Sequence, residues 1–273
     1  MHDPREGIDT GGNIRTGAHR SMVPPPYEPV LADLSSALSA TSRPAPVLLY
    51  LYGSVATGTA RPPASDVDTI TVGLTASEAA SLSEQLSQRF EDRCRAVDIG
   101  AAQPEHYTGD GDAAYGNRAF LRHYCVHLTG PDLTTGWPAF PADARAARGF
   151  NGDIAEHHRR WISDLAAIDG IDAGSAPTEV ATQALARRVA RKTLLAVAGL
   201  VSLLDWTWTT NRVGAAARYS RLCPSLAPGL EELVAWSGSA QAARRDELHR
   251  SLGLGGSVGQ IVTAFSQEIG TWS

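Results

Sequence analysis

YGSVATGTARPPASDVDT, residues 52–69, decides how the chain reads. It follows directly on VLLYL, 47–51, an apolar run with the length of a buried strand. The chain leaves that run through Gly53-Ser54, crosses a loop of small residues and enters DVDTITVGL, 66–74, a second β-rich run. Asp66 and Asp68 lie two residues apart, a spacing that places both side chains on one face of a strand. Carboxylates side by side repel, and a bound divalent cation is the expected offset.

Working outward, YEPVLADLSSALSATS, 27–42, predicts an amphipathic helix with Val30, Leu31, Leu34 and Leu38 on its apolar face, ended by Pro44 and Pro46. TASEAASLSEQLSQRFED, 75–92, predicts a helix with Thr75 as N-cap and Glu78 as its capping-box partner. CRAVDIGAA, 94–102, reads as a third strand, YGNRAFLRHY, 115–124, as a short helix, and CVHLTGPD, 125–132, as a strand ending in a Gly-Pro turn. Beyond about residue 135 no segment has a convincing strand pattern. Helical stretches are expected from about 143 to 168, from 177 to 205 and in shorter pieces to the end. The longest has apolar residues crowding its C-terminal half, which predicts packing on most sides there. The linker 170–177, GIDAGSAP, interrupts the helices.

The expected fold class is therefore α+β: a small mixed-sheet domain over 28–138, followed by an all-helical domain over 139–273. Residues 1–27, rich in Gly, Pro, Arg and Asp without an apolar period, are expected to be a disordered tail, with Met22 an alternative start.

Bulk properties narrow the function. The chain has 273 residues, 43% hydrophobic and 19% charged, ordinary values for a globular protein. A net charge of −5 argues against a general nucleic-acid binder and suits a small, even cationic, substrate. No apolar run is long enough to span a membrane, and the N-terminus lacks a signal-peptide core, so a cytoplasmic protein is expected. Cys94, Cys125 and Cys223 have no metal-ligand spacing and read as buried free thiols. Oligomeric state is left open.

The Gly-Ser pair has physical work available to it. Gly53 lets backbone approach a phosphate closely, and Ser54 offers a hydroxyl and an N–H to its oxygens. Asp66 and Asp68 suit Mg²⁺ ions bridging the same phosphates, and Asp98, in AVDIG, is placed to supply a third carboxylate from a neighbouring strand. This arrangement resembles the DNA polymerase β-like nucleotidyltransferase superfamily: an apolar residue with Gly-Ser, then a gap, then Asp-x-Asp. Here the gap between Ser54 and Asp66 is eleven residues, and Gly58 and Ser65 also match. The resemblance covers roughly residues 45 to 135.

Within that superfamily the chain is similar to the streptomycin–spectinomycin (aminoglycoside) adenylyltransferases, which join a nucleotidyltransferase domain to a helical one. FLRHYCVHLTGPDL, 120–133, and KTLLAVAGLVSLLDWTWTTNRVGAAARYS, 192–220, carry that likeness. The resemblance implies transfer of AMP from ATP to a hydroxyl of a small molecule, with pyrophosphate released. It implies Asp66, Asp68 and Asp98 as metal-binding and catalytic residues, with Asp98 a ligand, a base or both. Gly53 and Ser54 would hold the phosphates, and the aminoglycoside class is the acceptor it suggests.

The chain also departs from that pattern. The family's third carboxylate is a glutamate, here Asp98, and its phosphate-facing lysine falls at Asn211 or Arg212, of which only Arg212 carries the charge. Two other readings stand beside it: a protein-modifying, antitoxin-type nucleotidyltransferase, whose chains are much shorter, and a catalytically silent nucleotide- or partner-binding module. Arg187, Arg188, Arg191 and Lys192 read as a solvated helix face or a triphosphate-facing patch. Trp206 and Trp208 read as core or pocket frame, Glu156, His157 and His158 as surface, and Asp110 and Asp112 as an acidic turn.

Overall fold

The structure is a computed structural model in which residues 6–39, 45–170, 176–238 and 242–272 are described. The chain divides into two compact units. One is Asp9–Pro141; the other joins Glu6–Ile8 to the chain from Ala142 onward.

The first unit is built on a four-stranded mixed sheet. Its strands are β1 (Leu48–Tyr52), β2 (Val67–Val72), β3 (Val97–Ala102) and β4 (Val126–Thr129), in the order β3-β2-β1-β4. β1 pairs antiparallel with β2 and β4, whereas β2 and β3 run parallel. A parallel pair needs a crossover, and the helix Ala76–Arg89 supplies it. The first unit's helices are α1 (Glu28–Ser39), α2 (Gly53–Ala56), α3 (Ala76–Arg89) and α4 (Asp112–Tyr124). The predicted capping box closes α3: Thr75 Oγ1 accepts from Glu78 N–H at 3.3 Å, and Glu78 Oε2 accepts from Thr75 N–H at 2.8 Å.

Strand alternation divides the core in two. Leu49, Leu51, Val67 and Val97 face one side with Val30, Leu31, Leu34 and Leu38 of α1, the face its sequence marks as apolar. Leu48, Tyr50, Val72 and Ala102 face the other, against Leu121 of α4.

The second unit is helical: α5 (Ala144–Asn151), α6 (Ile154–Asp169), α7 (Ala176–Leu204), α8 (Arg212–Leu222), α9 (Ala227–Ser237), α10 (Arg245–Leu252) and α11 (Ser257–Glu268). The expected 143–168 helix is two helices, broken at Gly152-Asp153. α7 is 29 residues long, and from Thr193 to Ser202 every residue but Leu195 is buried, as the crowding of apolar positions predicts. Pro44 and most of the linker 170–177 fall outside the described residues.

The N-terminal stretch departs from its composition. Residues 1–5 of the expected tail lie outside the described residues, but 6–27 are packed. Ile14 is 1% exposed and Ala18 is buried. Ile14 N–H bonds Phe140 O at 2.8 Å, Gly17 N–H bonds His123 O at 3.2 Å and His19 N–H bonds Ala56 O at 3.2 Å. Buried His123 holds this layer, its Nδ1 beside Thr16 Oγ1 at 3.2 Å and its Nε2 accepting from Phe140 N–H at 2.9 Å. Glu6 bridges to Thr209 in the second unit. Single buried side chains and backbone pairing fix the stretch, so it needs no apolar period. Among the described residues, no helix is long and apolar enough to cross a membrane.

Candidate functional site

The loop between β1 and β2 places Gly53, Asp66 and Asp68. β1 ends at Tyr52 and turns directly into the single helical turn of α2, with Gly53 at φ +73°. That left-handed value favours glycine. A Cβ there would also collide with Oδ2 of Asp68 and stand 3.1 Å from its Cγ. The return path is pinned at Ser65, whose Oγ accepts from Arg61 N–H at 2.9 Å.

On the strands the register is explicit. Tyr52 is opposite Asp68 across β1 and β2, and Asp68 is level with Asp98 across β2 and β3. Paired residues of a parallel ladder share a face, so Asp68 and Asp98 stand side by side on the Tyr50 face of the sheet. Burial, then the charges of Asp66 and Asp98, push the Asp68 carboxyl up to about 6. Burial and Asp66 push Asp98 up as well, and Arg95 pulls it partly back. These are the effects expected of clustered carboxylates without a compensating cation.

Two further residues shape the site, of which Arg95 went unsignalled in the sequence. Arg95 clamps Asp66, its Nε donating to Oδ1 at 2.9 Å and its terminal nitrogen to Oδ2. Only the β2–β3 register, with Val67 level with Val97, brings the two together. Tyr52 packs edge-to-face on Phe120 at 5.3 Å, and burial followed by the charge of Asp68 raises its hydroxyl. The sequence marks Tyr52 only as the apolar residue that precedes Gly53-Ser54.

Among the described residues, no group of three or more His, Cys, Asp or Glu side chains stands in metal-ligating geometry. The predicted triad Asp66, Asp68 and Asp98 is thus close in register but not drawn together on one point, and Asp66 faces Arg95. In kind the residues fit a hard divalent cation: all three donors are carboxylates, and burial, then the neighbouring carboxylate charges, raises the protonation of two of them. The Arg95 guanidinium stands where a positive charge is wanted.

Other candidates resolve into structural roles. Asn211 is the N-cap of α8, its Oδ1 accepting from Gly214 N–H at 3.1 Å, and Arg212 is the first residue of that helix. In the basic run on α7, Arg188 pairs with Asp164 at 3.2 Å and Arg191 Nε donates to Ser237 O at 3.2 Å. Lys192 Nζ pairs with Asp153 at 2.7 Å. Trp208 is buried against Phe150, whereas Trp206 is 83% exposed. Glu156 pairs with Arg160, and His157 bonds Asp153 at 3.1 Å. His158, read from sequence as surface, is buried and bonds Leu252 O at 2.7 Å. Asp112 opens α4. The three cysteines are free; Cys94 is buried, while Cys125 and Cys223 are half-buried.

Compared with protein-family models, the chain matches none, and compared with curated proteins it again finds no match.

Proposed function

We propose that this protein is a nucleotidyltransferase that moves a nucleoside monophosphate, AMP from ATP, onto a hydroxyl of a small molecule such as an aminoglycoside. The observation that carries the reading is Asp68 level with Asp98 on neighbouring strands, beside a Gly53 whose missing side chain leaves room for the Asp68 carboxylate. Bound Mg²⁺, held by Asp66, Asp68 and Asp98, would neutralise the triphosphate and lower the pKa of the acceptor hydroxyl.

The chain's own residues divide the work by environment. Asp98 is the most exposed of the three carboxylates and reaches an incoming acceptor, so it takes the hydroxyl proton. Its raised pKa makes it a better base than an ordinary carboxylate. The backbone at Gly53 and the Ser54 hydroxyl face the phosphates. Tyr52, opposite Asp68 across β1 and β2, is braced edge-to-face on Phe120 and forms one side of the site. Arg212 is carried over from the resemblance by its charge alone, Asn211 being committed to its cap.

The test is incubation with ATP, Mg²⁺ and a panel of aminoglycosides and spectinomycin, read by mass spectrometry for a gain of one AMP and by pyrophosphate release. Transfer that persists in Asp68→Asn would remove the reading.

One observation favours a second reading, a nucleotide-binding module without transfer: the Arg95 clamp occupies both oxygens of Asp66. Calorimetry with Mg-ATP separates the two. Saturable binding with no turnover in either wild type or Arg95→Ala would select the silent module.

A further inference from the structure

Arg95 and Asp66 meet because two backbone bonds bring their segments together. Arg95 N–H bonds Ser65 O at 3.2 Å, and Val67 N–H bonds Ala96 O at 2.9 Å. The approaches to β2 and β3 are thereby tied one residue to either side of Asp66. The two side chains are held very differently. That of Asp66 is 17% exposed, whereas that of Arg95 is 67% exposed. The carboxylate is a sheltered anchor, and the guanidinium reaches it from the solvent side.

The fork uses both oxygens of Asp66: Nε donates to Oδ1 at 2.9 Å and a terminal nitrogen to Oδ2. This planar, two-point contact is one that guanidinium makes and ammonium cannot. A divalent cation taken up at Asp66 must share those oxygens with a group of like charge, which repels it. The contact that yields is the exposed one, because ion pairs at a surface are weak and the arginine returns readily to water. In the absence of an ion the same guanidinium has a use. It opposes the rise that burial and neighbouring charge impose on Asp68 and Asp98.

We propose that Arg95 is a built-in counter-ion of the carboxylate site, a latch that a divalent cation displaces from Asp66 as it binds. The exchange presupposes the metal site proposed above and adds how that site is regulated: it opens only at an ion concentration that overcomes the guanidinium. Arg95 is a positioning residue in this scheme, acting on the ion through Asp66.

The experiment is titration of the full chain with Mn²⁺ alone, without nucleotide, with the free ion followed by electron paramagnetic resonance. Arg95→Ala should bind Mn²⁺ about 3- to 10-fold more tightly than wild type. Arg95→Lys keeps the charge but cannot fork, and should fall between the two. In parallel, the Nε–H resonance of Arg95, assigned by its loss in Arg95→Lys, should shift when Mg²⁺ is added to wild type. That resonance decides the matter alone should a variant fail to fold. Equal Mn²⁺ affinity in wild type and Arg95→Ala, or an Nε–H resonance unmoved at saturating Mg²⁺, would overturn the latch and leave the metal site standing. Arg95→Lys binding no more tightly than wild type would overturn it too, by showing that charge acts without a fork to open. No Mn²⁺ binding by wild type or either variant would remove latch and metal site together. The expected affinities without any AMP transfer would uphold the latch and reject the transfer reaction.

Discussion

The carboxylate of Asp68 occupies the space that a side chain at residue 53 would need. The strand exit and the acidic pair are therefore one steric unit, and the φ of +73° at Gly53 is part of it. Gly53→Ala should cost about 1–2 kcal/mol from backbone conformation alone, with the collision added. Chemical denaturation with circular dichroism measures this, and an unchanged midpoint would show that the turn relaxes freely.

Asp68→Asn should stabilise the protein above pH 6 and make no difference below pH 4. The folded-state value near 6 is above the unfolded value, so the wild-type chain loses stability as pH rises through that window. His123, pushed down to about 4 by burial, changes stability in the opposite sense over an overlapping range. Subtracting the variant's pH profile from the wild type's isolates the aspartate. A constant difference between pH 4 and pH 7 would contradict the burial argument.

Asn211→Ala and Arg212→Ala should separate structure from function. Loss of the N-cap costs roughly 0.5–2 kcal/mol, visible as a lower thermal midpoint. Arg212→Ala should instead weaken use of ATP by a charge-assisted contact, roughly 1.5–3 kcal/mol in kcat/KM. Reversal of the two effects would move the phosphate-facing role to Asn211.

Removal of residues 1–21 should lower the thermal midpoint. It strips out buried Ile14 and Ala18 and the partners of Phe140, His123 and Ala56. Burial of one isoleucine side chain stabilises by about 1.5–3 kcal/mol, so the loss should be measurable by scanning calorimetry. A midpoint equal to wild type would return this stretch to the status of a tail.

Asp98→Asn should lower turnover by about 10²–10⁴-fold, the usual contribution of a general base. ATP affinity measured by calorimetry should change little. Parallel loss of both would make Asp98 a nucleotide-metal residue.

Elements with a strong local signature were legible in advance. The run 47–51, the Thr75–Glu78 cap and the apolar face of α1 all state their structure within a few residues. Asp66, Asp68 and Asp98 could be placed on adjoining strands because each sits in or beside a β-rich run. Arg95 could not be assigned to Asp66, because its reach depends on the β2–β3 register, which no local pattern encodes. His158 reads as polar helix surface, and only a carbonyl 94 residues away explains its burial. The N-terminal stretch is the largest case: Ile14 and Ala18 are too sparse to form a period, and their partners are remote in sequence.

The seating of Glu6 also bears on the order of folding. Its carboxylate receives Thr209 O–H at 3.1 Å across a separation of 203 residues, and the backbone of Gly7 bonds Trp208 O at 2.8 Å. Contacts of such long sequence separation form late, because the loop they close must first be paid in entropy. During synthesis, residues 6–8 leave the ribosome long before their partners exist. Residues 6–8 can therefore take their place only after residues 208 and 209 have been made.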